Sequence, residues 1–210
     1  MNVLQIDCSP RRESHSRRLS AAVVEKLLTV LPDATISRRD LGYEPIPHPG
    51  ADYAAVLATP ESLAAAGRDA DALLLAEQLI QEVEDSDVVV IGTPMNNFTV
   101  PSVLKAWIDQ ILRVGRTMKS TPAGKVGMLR DRPVFVGIAS GGVFAGDGAN
   151  QQDFLTPYLS AALGCIGLNT VHYLRLQATA FLDETRAADV RRSLIATIEP
   201  AMASLVQSLV

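Results

Sequence analysis

The stretch VVVIGTPMNNFTVPSVLKAWID, from Val88 to Asp109, joins two elements of different period through a loop of unusual composition. Its first part, with Asp87 ahead of it, reads DVVVIGTP and is apolar without alternation, the pattern of a strand buried on both faces in a parallel sheet. Its second part, SVLKAWIDQILRV from Ser102, has helical spacing, and Pro101 suits the first turn of a helix. Between them, Asn96 and Asn97 carry amides suited to the polar edge of a heterocycle, while Met95 and Phe98 can pack against a flat ring. The same residues also suit an ordinary turn stabilised by asparagine.

Working outward, strands alternate with helices. NVLQID (Asn2 to Asp7) is a short apolar strand, and SRRLSAAVVEKLLTVL places Leu19, Val23, Leu27 and Val30 on one helical face. ATISRRDL is a second strand, followed by YEPIPHPG, whose prolines exclude regular structure. DADALLLAEQLIQEVEDS sets Leu73, Ala76, Ile80 and Val83 on one stripe of a helix. RPVFVGIA is another buried strand, DFLTPYLSAALGCIG a helix, NTVHYLRLQ the last strand, and Asp183 to Leu209 a single closing helix. Five strands with crossover helices predict an α/β fold: a doubly wound, five-stranded parallel sheet with helices on both faces, in one domain over residues 1–210.

Composition narrows the function. The chain has 210 residues, 48% of them hydrophobic, and a net charge of −4, so no nucleic-acid or membrane-surface footprint is expected. No apolar run approaches the roughly 20 residues that span a bilayer, and MNVLQIDCSPRR reads as a strand rather than a secretory leader, so a soluble cytoplasmic protein is expected. Two cysteines and three histidines, scattered along the chain, offer neither a disulfide framework nor metal-ligand spacing.

A doubly wound sheet binds ligands beyond the carboxyl ends of its strands, at the switch point of strand order. That selects three loops: CSPRRESHSRR, TPMNNFTVP and ASGGVFAGDG. The first has neither GxGxxG nor GxxxxGK[ST]. It offers Ser9, Ser14 and Ser16 before a helix, where hydroxyls, free N–H groups and the helix dipole suit a phosphate monoester. Arg11, Arg12, Arg17 and Arg18 would add positive potential, although Ser14 or Ser16 could equally serve as a helix cap. In the third loop, Gly141 and Gly142 admit either a close backbone approach to a ligand or a tight turn.

These loops, with DLGYEPIP, PMNNFTVPSVLKAWIDQILRVGRTM, SGG after the fourth strand and LTPYLSAALGCIGL, resemble the FMN-dependent NADH:quinone oxidoreductases, also called azoreductases, along nearly the whole chain. The resemblance implies a flavodoxin-like fold. It also implies an enzyme that takes FMN as cofactor and NADH or NADPH as donor, reduces quinones by two electrons in a ping-pong cycle, and cleaves aromatic azo compounds. It assigns Ser9, Ser14, His15 and Ser16 to the FMN phosphate, Pro94, Met95, Asn96, Asn97 and Phe98 to the isoalloxazine, and Ser140, Gly141 and Gly142 to its polar edge. No side chain is assigned as catalytic, because the cofactor carries the chemistry. The family is homodimeric, which makes Phe98, Trp107 and the 115–130 segment candidates for closing the site across an interface. This sequence departs from the family in a first loop one residue shorter, in Ala139-Ser140 before Gly-Gly, and in Ser120 where an aromatic often stands. A flavodoxin-type electron carrier and a non-catalytic flavin-binding regulator share the fold, but carriers are usually far more acidic.

Overall fold

Strand β3 (Val88–Pro94) lies at the centre of the sheet, and all of it except Pro94 is buried. It pairs in parallel with β1 (Asn2–Asp7) on one side and β6 (Val134–Ala139) on the other, so that Ile91 lies beside Ile6 and Val136. β2 (Thr35–Asp40) extends the sheet beyond β1, and β7 (Val171–Leu176) beyond β6, giving the order β2-β1-β3-β6-β7. The computed structural model describes residues 1–58 and 70–207.

The two faces of the sheet take alternate residues of each strand. On one face Leu4, Ile6, Val89, Ile91, Val134 and Val136 pack against helices α3 (Ala70–Glu84), α4 (Ser102–Ile111) and α5 (Thr156–Ile166). On the other, Val3, Val88, Val90 and Phe135 meet Leu19, Val23 and Leu27 of α1 (His15–Val30), with Ile198 and Met202 from the C-terminal helices. Burial on both faces is the physical reason β3 has no polar alternation. β2, at the edge, is largely exposed and carries Thr, Ser, Arg and Asp.

Three expectations need correction. The closing helix is two helices, α6 (Glu184–Thr197) and α7 (Glu199–Gln207), broken at Ile198. Pro200 has no N–H to donate, and its ring would strike the Ala196 carbonyl in a continuous helix. Leu209, assigned to that helix, and Asp69, at the start of the α3 segment, lie outside the described residues. Trp107 does not face an interface; it is 1% exposed and packs in the core with Ile91 and Leu104. Helix α2 (Ala51–Ala58) and an antiparallel hairpin of β4 (Met118–Thr121) and β5 (Gly124–Gly127) are additional to the elements read from sequence. α2 is anchored through the Tyr53 hydroxyl, which donates to the carbonyls of Asp109 and Gln110 at 3.2 Å.

The strand order reverses direction between β1 and β3, so the carboxyl ends of these strands open into a crevice. Cys8, fully buried at the end of β1, donates its N–H to the Gly92 carbonyl at 2.9 Å and holds that edge closed below the crevice. The start of α1 is pressed onto β3 at Gly92. A Cβ there would stand 2.7 Å from Ser20 Oγ and 2.8 Å from both Asp7 Oδ1 and the Ser16 carbonyl oxygen. Gly92→Ala is therefore expected to destabilise the fold by ~1–3 kcal/mol, the usual cost of overpacking. Urea titration should show a lower midpoint with an unchanged slope.

Candidate functional site

A cleft of about 480 Å³ opens at this crevice. Its lining comes from four loops: Ser9, Pro10, Arg11, Ser14 and His15 after β1; Pro94, Met95 and Asn96 at the end of β3; Ala139 and Gly141 after β6; Thr179 and Ala180 after β7. The size falls in the range of small-molecule sites, roughly 300–1,000 Å³.

At one end stands the N-terminus of α1. Ser14 is its N-cap, with extended backbone (φ −79°, ψ 134°), and its Oγ accepts the Ser16 N–H at 3.3 Å. The first helical hydrogen bond back to this cap comes from Arg18 N–H to the Ser14 carbonyl, at 3.1 Å. The N–H groups of His15, Ser16 and Arg17 precede it and have no carbonyl one turn back. The capped turn thus also presents backbone N–H groups of the kind that suit an anion. Ser16 does not line the cleft; it is fully buried behind Ser14, with the two hydroxyl oxygens 2.9 Å apart. His15 Nδ1 is buried without a hydrogen-bond partner. Burial holds the His15 imidazole below its ordinary pKa; Glu184 opposes this, and Arg18, Arg191 and Arg11 reinforce it, which favours the neutral ring.

The arginines are less available than their number in the sequence implies. Of Arg11, Arg12, Arg17 and Arg18, Arg11 alone lines the cleft. Arg17 is held by Asp40 through two bonds of 2.6 and 2.7 Å, and Arg18 is paired with Glu13 and Glu184.

The second loop is a two-residue turn. Asn96 and Thr99 exchange N–H to carbonyl bonds at 3.0 Å, and Asn97 and Phe98 between them both have left-handed backbone, φ 47° and 70°. Such a conformation in a bulky residue costs on the order of 1 kcal/mol or more and is concentrated at functional sites. Met95 N–H continues the ladder to the Ala139 carbonyl at 2.9 Å, which ties this loop to the third. Ser140 Oγ accepts from Gln151 Nε2 at 2.7 Å and from Gly142 N–H at 3.3 Å, and Gln151 Nε2 is also 3.3 Å from Met95 Sδ.

Of the residues singled out from sequence, Ser9, Ser14, His15, Pro94, Met95, Asn96 and Gly141 line the cleft. Ser16, Asn97, Phe98, Ser140 and Gly142 flank it. Phe98 lines a second cleft of about 630 Å³ with Phe144 and Gln151. Ser120 is on β4, where its Oγ accepts from Lys125 Nζ at 2.6 Å, and it lines neither cleft. Thr179, Ala180 and Gln151 were not read from sequence. Thr179 donates both its N–H and its hydroxyl to the Ser140 carbonyl at 3.0 Å, and the position of its loop after the last parallel strand was the available signal.

A family model described as "Flavodoxin-like fold" matches residues 1–199. The chain belongs to that family. Within it, the FMN-dependent NADH:quinone oxidoreductase 4 of Pseudomonas fluorescens is 44% identical over 208 residues, 98% of this chain and 98% of that one. The FMN-dependent NADH:quinone oxidoreductase 5 of Burkholderia lata is 46% identical over 181 residues, covering 85% of this chain and 86% of its own. Among solved structures, an FMN-dependent NADH-azoreductase from Bacillus anthracis in complex with FMN superposes with a TM-score of 0.80 at 26% identity, over 98% of this chain and 99% of that one. This flavodoxin-like chain has, among its described residues, no helix long and apolar enough to cross a membrane.

The electrostatics behind the first loop give a pH test. Burial works against the charge of Asp40, but the Arg17 guanidinium and the N–H groups of Tyr43 and Gly42 outweigh it and hold the carboxyl below its usual pKa. A folded pKa below the unfolded value of 3.8 stabilises the fold above that pH, and the stabilisation is lost as pH falls through the folded pKa. The stability difference between the wild type and Asp40→Asn should therefore be constant above about pH 5 and shrink at lower pH, read from denaturant titrations at each pH.

Proposed function

We propose that this chain is an FMN-dependent NAD(P)H:quinone oxidoreductase that reduces quinones by two electrons and also cleaves aromatic azo compounds. The observation that carries the reading is the layout of the cleft. A capped helix N-terminus with an unpartnered buried His15 Nδ1 stands among its walls together with Asn96, Met95 and the Cβ-free Gly141. An anion-binding turn and an amide beside apolar groups suit a flavin mononucleotide. The relatives' names, with identities up to 46%, support the same cofactor and reaction.

In this reading Ser9, Ser14 and His15 bind the phosphate, and Ser16 orients the Ser14 hydroxyl from behind. Pro94 to Phe98 line the ring system, and Ser140, Gly141 and Gly142 meet its polar edge. When bound, FMN supplies hydride acceptance from the nicotinamide and two-electron delivery to the acceptor. The residues bind, orient and exclude water. Ser140, fixed by Gln151, holds the third loop, and the turn at Asn97 and Phe98 places an aromatic side chain, 48% exposed, beside the cleft. We further infer a homodimer formed over this mouth, where Phe98, Phe154 and Phe181 are all exposed, acting as one FMN-binding domain in the cytoplasm where NADH is available.

Stopped-flow mixing with NADH and then NADPH, followed by a panel of quinones and azo dyes, tests the activity. Bleaching of the flavin band and its recovery on addition of quinone are expected; a flavin that neither nicotinamide reduces would overturn the reading. The chromophore released by heat should be FMN, about one per chain, as a single helix-terminus phosphate site implies.

Two further outcomes follow from the phosphate end. Asp is a good N-cap, so Ser14→Asp should stay folded, yet its carboxylate would face the phosphate and raise the Kd for FMN about tenfold or more, measured by quenching of flavin fluorescence. A phosphate dianion beside His15 favours the charged ring, so the His15 pKa, below 6.5 in the free protein, should rise on FMN binding in an NMR titration.

A further inference from the structure

Arg17, in the first turn of α1, turns its side chain away from the cleft and is only 14% exposed. Its Nε donates to the Ser9 carbonyl at 2.8 Å, while Nη1 and Nη2 donate to the two oxygens of Asp40 at 2.7 and 2.6 Å. The guanidinium lies over the Tyr43 ring, 4.1 Å from its centroid, and Nη1 is 4.0 Å from Asp7. Asp40 in turn accepts the N–H groups of Gly42 and Tyr43 at 3.1 and 3.0 Å. One side chain therefore links the first loop, α1, the end of β2 and the turn that follows it.

The linkage bears on the site through Ser9. Ser9 lines the cleft, its Oγ accepts the Arg11 N–H at 3.3 Å, and the residue after it is Pro10, which has no N–H with which to anchor the turn. The orientation of the Ser9 carbonyl is set from outside the loop, by Arg17. The turn after β2 is seated directly on this peptide: a Cβ at Gly42 would stand 2.2 Å from the Ser9 carbonyl oxygen and 2.9 Å from Arg17 Nη2. Lysine cannot replace such a contact set, because one ammonium cannot serve a carbonyl and both oxygens of a carboxylate in a planar fork.

We propose that Arg17 and Asp40 are positioning residues for the cofactor phosphate: their ion pair fixes the Ser9 to Arg11 turn against the start of α1, and this sets the preference of the cleft for phosphorylated flavin over riboflavin. The proposal rests on the flavin reading above. A pair that merely stabilised the fold would support both ligands equally. A pair that acted only through the positive charge of Arg17 would be rescued by lysine.

The test is the ratio of FMN to riboflavin affinity, measured by fluorescence quenching in the wild type, Arg17→Lys and Asp40→Asn. Arg17→Lys is expected to lower FMN affinity about tenfold, the scale of a lost charge-assisted hydrogen bond, with riboflavin affinity within about twofold of wild type. Asp40→Asn keeps the shape of the side chain but loses the charge, and should reduce the ratio in the same direction. It decides the matter alone if Arg17→Lys does not fold. A wild-type ratio in the folded variants, whether both affinities hold or both fall together, would overturn the proposal, as would loss of folding in both variants. A wild-type protein that binds riboflavin and FMN equally overturns the phosphate assignment, and one that binds neither flavin overturns the reading of the cleft; either result removes this proposal as well.

Discussion

The close approach of α1 to the centre of the sheet is the constraint on which the site depends. Gly92 presents bare backbone, and the first turn of α1 occupies the space a side chain would need, with the Ser16 carbonyl, Ser20 Oγ and Asp7 all packed against it. A helix held further from the sheet would carry Ser14 and His15 out of the crevice between β1 and β3. The same contact explains why hydroxyl groups fill a buried interface. Ser16 and Ser20 are short enough to fit under the helix, and each has a partner, Ser14 Oγ at 2.9 Å and Asp7 Oδ1 at 2.6 Å.

Two carboxylates behind the first loop respond to this environment in opposite senses. Burial raises the pKa of Asp7 despite the Ser20 hydrogen bond and nearby Arg17, whereas the closer grip of Arg17 lowers that of Asp40. The difference follows first from burial, deeper at Asp7, and then from contact distance: the guanidinium reaches Asp40 at 2.6 Å and Asp7 at 4.0 Å. On the opposite face, Arg116 is shared between Glu77 and Glu84, and Arg132 spans the carbonyls of Val83, Glu84 and Ser86 at the end of α3. Here too the cations, Arg132 buried and Arg116 partly so, are matched to acceptors that are fixed before any ligand arrives.

Much of this was legible in the sequence because it depends on period. The unbroken apolar run of β3 and β6 marks central strands, and the edge position of β2 shows in its polar residues. Local chemistry also offered Ser14 or Ser16 as a helix cap at the end of the first loop, and the structure places Ser14 there. What escaped depends on tertiary packing. The β4 and β5 hairpin is four residues a side, too short to declare a period, and α2 is seated by buried Tyr53 and Val56, with the Tyr53 hydroxyl bonded to carbonyls far along the chain. Pro200 did carry a signal for the break between α6 and α7, but the apolar spacing on both sides concealed it. In the site, residue type located the loops, whereas the division between lining and flanking residues needed three dimensions. Ser16 has the right chemistry but directs its hydroxyl to Ser14 rather than to the cleft.

Cys8 precedes Ser9 in the chain, so a nucleophilic sulfur lies one residue from the lining of a cleft proposed to handle quinones, which alkylate thiolates. Burial first, and the nearby charge of Asp7 second, push the Cys8 thiol well above its ordinary pKa, and the side chain has no exposed surface. Because only the thiolate attacks an electrophile, this sulfur is both inaccessible and unreactive at neutral pH. The strand edge that closes the floor of the crevice thus also shields Cys8: a molecule held at the cleft does not meet this sulfur.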